Sequence, residues 1–242
     1  MTGYIGNASF LREVAKILAK MRTINPNLIY GKFSSHKYYI ANSILIISIT
    51  VVCDPVMGDH GKMYVPEDLL PIYQNEIIPL ADIITPNQYE VELLTGLKIN
   101  NETDVVNALK WFHSKNIKTI ALSSTDLGTD NQLLAYLSQQ NDSIYSINIP
   151  KQGGNHITFT GTGDLFASLF LAHNHFQTNV QTAFEITISS LQAVIKRTIQ
   201  SIPADVLTGK RPKEAEECEL KLIQSKKDID NPVVLLKAQQ IQ

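Results

Sequence analysis

Cysteine is nearly absent from this 242-residue sequence: Cys53 and Cys218 stand far apart. Two such residues build neither a disulfide framework nor a metal-ligand spacing, and a reducing, cytoplasmic setting is the expectation. Charge is also scarce, with 18% charged residues and a formal net charge of -2. Without a basic field there is no footprint for nucleic acid and none for a polybasic membrane anchor. Long apolar runs are missing too. The nearest approach, Tyr38 to Val52, is shorter than the roughly 20 residues of a spanning helix and contains Asn42, Ser43, Ser48 and Thr50. The opening MTGYIGNASF has neither the charged nor the apolar region of a signal peptide. No repeat, heptad series or low-complexity linker divides the chain, so 1–242 reads as one domain. What remains is 44% hydrophobic content, enough for a sizeable core and suited to small-molecule chemistry.

Helical and strand-like patterns alternate along the chain. Ser9 to Thr23 places Phe10, Leu11, Val14, Ile17, Leu18 and Met21 at helical spacing, the mark of an amphipathic surface helix. Val51 to Cys53, Ala81 to Ile84 and Thr119 to Leu122 are short apolar runs bounded by Asp, Pro or Ser, as strands buried on both faces should be. Helices are expected over Pro66 to Ile78, Gln88 to Thr95 and Glu102 to Lys115, with Trp111 and Phe112 on the buried side of the last. This rhythm predicts an open, mostly parallel, doubly wound α/β sheet with helices on both faces. RPKEAEECELKLIQSKKDI reads as a solvated helix, and VVLL near the end as a final strand. His173 and His175, two apart on a helix, point to different faces and do not share a metal.

In such a sheet, ligands sit beyond the carboxyl ends of the strands. Four candidate strand ends carry unusual residues. In CDPVMGD, Asp54 and Asp59 flank a turn; they suit a hard cation or its waters, and equally suit plain turn chemistry. In DIITPNQYEVELLTG, Thr85 and Asn87 precede a helix and Glu90 completes a capping box with Asn87, a sufficient structural reason for both. In ALSSTDLG, Ser123 and Ser124 offer hydroxyls to a phosphate or merely turn the chain. In TFTGTGDLFASLFLAH, the turn Gly161, Thr162, Gly163, Asp164 opens a helix whose Leu165, Phe166, Ala167, Leu169, Phe170 and Leu171 require burial. Glycines let backbone approach a ligand closely, and the first amides of a helix favour an anion. An acid placed there opposes that anion unless it works as a general base; the alternative is a simple N-cap.

These motifs in this order, CDPVMGD, MYVPEDLLP, ADIITPNQYEVELLTG, FTGTGDLFA and QSKKDIDNP, resemble the pyridoxal kinase family of the ribokinase-like superfamily, over Thr2 to about Pro232. The resemblance implies transfer of the ATP γ-phosphoryl group to the 5′-hydroxymethyl group of pyridoxal, pyridoxine or pyridoxamine, with Mg²⁺ and a monovalent cation such as K⁺. It implies Asp164 as catalytic base and a contact to the vitamer, and Gly161, Thr162 and Gly163 as an anion hole. Asp54, Asp59, Thr85 and Glu90 fall in its metal neighbourhood. Asp54, Asn87, Ser123, Ser124 and Thr162 fall at its nucleotide contacts, Tyr64 in a loop closing over the nucleotide, and Tyr4 in the vitamer pocket. Similar enzymes are homodimers.

Two other readings stay open: a hydroxymethylpyrimidine kinase, whose usual residue after GTG is Cys rather than Asp, and a nucleotide-binding fragment with impaired catalysis. The second arises because TGY at residues 2–4 resembles an interior stretch of the family, so the family's opening strands have no counterpart here. Joining Tyr30 to Val52 restores one uninterrupted strand, which marks 31–51 as an insertion. Rich in Ile, Ser, Tyr, Asn and Lys, it reads as translated intron sequence. Alternatively, Ser43 to Val52 takes over the strand that leads to Asp54.

Overall fold

The computed structural model describes residues 1–24, 50–140, 143–153, 157–211 and 214–242. Helix α1 (Ala8–Ile24) is followed by β1 (Val52–Cys53) and a small hairpin, β2 (Gly58–Asp59) with β3 (Lys62–Met63). A helical stretch over 67–80, with α2 (Leu70–Ile72) at its centre, leads to β4 (Ile83–Ile84), α3 (Gln88–Thr95) and α4 (Glu102–Ser114). Strands β5 (Thr119–Thr125), β6 (Gln132–Gln139) and β7 (Ile144–Pro150) precede the long helices α5 (Thr162–Phe176) and α6 (Val180–Gln200). Two short helices, α7 (Ala204–Leu207) and α8 (Lys226–Asp230), and strand β8 (Gln239–Gln240) finish the chain.

Among the described residues a six-stranded sheet runs β1-β4-β5-β6-β7-β8. Its β1, β4 and β5 are parallel neighbours, and Thr2 adds a parallel bridge to Cys53. Beyond β5 the sheet is an antiparallel meander that the sequence reading did not anticipate. The meander has a consequence for the site. Two antiparallel steps bring β7 back into the direction of β5, so Pro150 emerges at the same edge as the carboxyl ends of β1, β4 and β5. The chain then enters α5 at that edge.

Side chains alternate across the strands, as the pleat requires. Cys53, Ile84, Ile120, Leu122 and Tyr136 face a core built with α1, the 67–80 stretch, α3 and α4. Val52, Ile83, Ala121, Ala135 and Leu137 face a second core against α5 and α6. Helices therefore cover both faces, as expected. On the second face Phe166, Phe170 and Phe184 form a fully buried cluster, with Phe184 edge-on to both of the others at 6.3 Å.

Most expected elements lie within a residue or two of their predicted ends, and Gln88–Thr95 coincides. The C-terminal expectations do not hold. RPKEAEECELKLIQSKKDI is broken into a 3-10 turn (Ala215–Cys218) and α8, because Glu219 bridges to Thr160 and the Lys221 amide donates to Thr198 Oγ1 at 3.1 Å, holding the chain between them out of a helix. Val233 to Leu236 runs alongside α6, where the Leu235 and Leu236 amides donate to Ser189 Oγ. The edge strand comes later, at Gln239–Gln240. Trp111 is only partly buried, with its edge against Phe112 and Lys115 over its face. Of the 31–51 segment only Thr50 and Val51 are described. Val51 is pinned by Asp82, whose Oδ2 accepts its amide at 3.0 Å. The intron and strand-exchange readings lie outside the described residues.

Candidate active site

Because β1, β4 and β5 are parallel, Asp54, Thr85 and Ser123 leave the sheet on one side. Each is fixed by local chemistry. Asn87 is the N-cap of α3: its Oδ1 accepts from the Glu90 amide, and Glu90 Oε2 accepts from the Asn87 amide at 2.9 Å, the capping box the sequence suggested. Glu90 reaches further. Its Oε1 accepts from the Met57 amide at 3.0 Å, while Asn87 Nδ2 donates to Gly58 O at 2.8 Å. The start of α3 thus fastens the Asp54-to-Asp59 loop. Gly58 is required there, since a Cβ would lie 2.2 Å from Lys62 O and 2.7 Å from the Tyr89 ring.

The start of α5 is bare. Gly161 is its N-cap, in the left-handed region at φ 86, and no described side chain caps the helix. Asp164 is therefore not the N-cap but the third residue of the helix. The first-turn amides have no acceptor within the helix and are turned outward. Asp164 is exposed, and its Oδ1 lies 3.5 Å from where a Cβ on Gly3 would stand. The segment from Thr2 to Tyr4 passes beside this carboxylate because the Thr2 amide donates to Val52 O and the Asp54 amide donates to Thr2 O.

Asp54 is 3% exposed, and among the described residues its Oδ2 has no hydrogen-bond partner. Oδ1 meets Thr85 Oγ1 only at 3.4 Å. Burial, and then the neighbouring Asp164 charge, push the Asp54 carboxyl up to about 7. Burial pushes Glu90 up to about 8, against the pull of the Asn87 and Met57 amides. Both groups hold protons to higher pH in the folded chain than in the unfolded one, so folding takes up protons across the interval between about pH 4 and pH 8. Stability from these groups is fully present below that interval and is lost as pH rises through it. Asp54→Asn removes the Asp54 part. Thermal melts without nucleotide are expected to show the parent losing stability between pH 5.5 and pH 8, and Asp54→Asn losing less and exceeding the parent at pH 8.

A cleft of about 650 Å³ brings together Asp59, Asn87, Ser123, Ser124, Thr162 and Gly163. Asp54, Thr85, Glu90 and Asp164 stand at or behind this edge rather than on the cleft wall. Tyr64 is 56% exposed, and its amide donates to Met57 O, which keeps it beside the Asp54-to-Asp59 loop. Tyr4 is 61% exposed and folded against Gly6. Among the described residues no three His, Cys, Asp or Glu side chains converge as a metal cage. The sequence reading missed the apolar wall, made by Ile149, Ile157, Phe159, Ile188, Leu191 and Ile195. The spacing of Ile188, Leu191 and Ile195 at i, i+3 and i+7 carries the signal for one side of it.

A parallel sheet half whose tips meet a bare helix N-terminus and an adjacent carboxylate suits phosphoryl transfer, and the relatives this chain matches make it a ribokinase-like phosphotransferase. The sequence family described as phosphomethylpyrimidine kinase matches residues 36–237, and the pyridoxal kinase of Homo sapiens is 37% identical over 98% of this chain and 73% of its own. The chain belongs to the pyridoxal kinase family. The Arabidopsis thaliana pyridoxal kinase is 37% identical over 99% of this chain and 70% of its own. Among solved structures, Leishmania donovani pyridoxal kinase in complex with ADP and pyridoxine matches with a TM-score of 0.80 at 25% identity, covering 100% of this chain and 73% of that one. Plasmodium falciparum PdxK with AMP-PNP and PL matches with a TM-score of 0.77 at 31% identity, covering 100% and 74%. The chain thus spans about three quarters of the length of these relatives.

Proposed function

We propose that this chain transfers the γ-phosphoryl group of ATP to the 5′-hydroxymethyl group of a B6 vitamer. The observation that carries the reading is the meeting, at one sheet edge, of the bare α5 N-terminus, the Asp164 carboxylate and the Ser123/Ser124 wall of one cleft. ATP lies in the cleft with its base toward the apolar wall and its phosphates toward the α5 turn. Asp164 accepts the proton of the vitamer hydroxyl as that oxygen forms its bond to phosphorus. The bond from phosphorus to the bridging oxygen of ADP breaks, and the α5 amides offset the charge on the migrating group.

The unpartnered Asp54 Oδ2, buried next to a second carboxylate, suits a cation. Asp54 and Asp59, with Thr85 Oγ1, are the groups we assign to Mg²⁺ and a monovalent cation such as K⁺. Glu90 gives its oxygens to backbone amides and supports them from behind. When bound, Mg²⁺ neutralises charge on the phosphates. The buried, unbridged Cys53 and Cys218 fit a cytoplasmic setting, and no described helix is long and apolar enough to cross a membrane. A homodimer accompanies this reading, consistent with the exposed Phe10 and Ile17 of α1.

Incubating the purified chain with ATP, Mg²⁺ and K⁺ tests the proposal. ADP and pyridoxal 5′-phosphate are expected to form from pyridoxal in equal amounts. Phosphorylation of hydroxymethylpyrimidine in preference to every B6 vitamer would replace this reading with the other vitamin kinase; nucleotide binding without transfer to either would reduce the chain to a binding fragment.

A further inference from the structure

Strand β5 does not run straight into the cleft. Between Leu122, opposite Tyr136, and Thr125, opposite Leu134, it carries one residue more than β6, so Ser123 and Ser124 sit on a bulge. A bulge re-aims side chains, and here both lie on the cleft wall. Something must hold its two ends. Upstream, the Ser123 amide and hydroxyl both donate to Pro86 O, at 2.9 and 3.2 Å. Downstream, the Asp126 amide donates to Gln88 Oε1 at 2.9 Å.

Gln88 is the first residue of α3 and also lines the cleft. Its Nε2 donates to Ile99 O and to Glu92 Oε1, each at 3.2 Å. Glu92 is itself held by the Ile99 amide and by Lys98. One amide side chain therefore ties the segment after α3 to the turn after the bulge. We propose that Gln88 is a positioning residue for the nucleotide: it fixes the downstream end of the β5 bulge and so sets where Ser124 presents its hydroxyl. This rests on the nucleotide reading of the cleft, and it assigns Gln88 no contact with the reacting atoms.

The test is a double-mutant cycle read by ADP titration calorimetry on the full chain. Gln88→Met keeps length and helix preference but removes both hydrogen-bonding ends. It is expected to weaken ADP binding roughly three- to tenfold, the scale of one well-made hydrogen bond. Ser124→Ala weakens it as well, and the double variant binds within about twofold of the weaker single variant, because the two changes act on one contact. A merely structural tie would lower stability without this loss of additivity. If the losses multiply, or if Gln88→Met binds ADP within about twofold of the parent, the inference is overturned while the nucleotide reading stands. If the unaltered chain does not bind ADP, both fall together. Should Gln88→Met not fold, Gln88→Asn, too short to reach Asp126, takes its place in the same cycle.

Discussion

Replacing Asp164 with alanine is expected to lower turnover with pyridoxal by about 10²- to 10⁴-fold, the usual contribution of a positioned general base. The nucleotide should bind at least as tightly as before. Asp164 stands among amides that attract phosphate, and a carboxylate there repels the anion in the ground state. Removing it deletes the proton acceptor and that repulsion at once, so kcat and ADP affinity move in opposite directions. A second consequence follows at Asp54, whose carboxyl is raised partly by the Asp164 charge. In Asp164→Ala its titration shifts down, so the loss of stability toward pH 8 is smaller and ends at a lower pH. Steady-state kinetics beside ADP titration reads the first effect. Turnover within about tenfold of the parent would remove Asp164 from the mechanism.

The largest expected loss of stability is at Phe170. It is fully buried, stacks beside Phe166 at 6.2 Å and meets Phe184 edge-on at 6.3 Å, which joins α5 to α6 beneath the sheet. Phe170→Ala leaves a cavity that this cluster cannot close, at a cost of about 3–5 kcal/mol. That is a large share of the roughly 5–15 kcal/mol by which a domain is stable. Phe170→Leu should lose less, since more of the volume is kept. Urea denaturation checks both. The chemistry would be affected only through the folded fraction, because Phe170 lies on the buried face two turns from Gly161. An alanine variant as stable as the parent would show that α5 does not depend on this cluster for its docking.

Legibility differed between the two halves of the molecule. The helix at Gln88–Thr95 was readable to the residue because Asn87 and Glu90 form a capping box and Gly96 takes the left-handed cap. The strand leading to Asp54 was readable from its buried run. The meander was not, for β6 and β7 mix polar and apolar residues on a part of the sheet that is only partly covered, and their pairing is a long-range choice. The C-terminal segment misled for a similar reason. Its mixed charges suggest a solvated helix, yet the Glu219 bridge to Thr160 and the Lys221 amide bond to Thr198 interrupt it, and Ser189 of α6 draws the VVLL run out of the sheet.

By itself, the sequence determined the local pieces: the caps, the buried strands and the Gly161-to-Asp164 turn, because each follows from interactions within a few residues. Only the tertiary structure decided that Asp164 lies beside Asp54, that Glu90 turns to the Met57 amide, and that Gln88 holds a turn 38 residues away. Those relations depend on which strands pair and in which direction, and strand pairing is fixed by the summed burial of two cores rather than by any short stretch of chain.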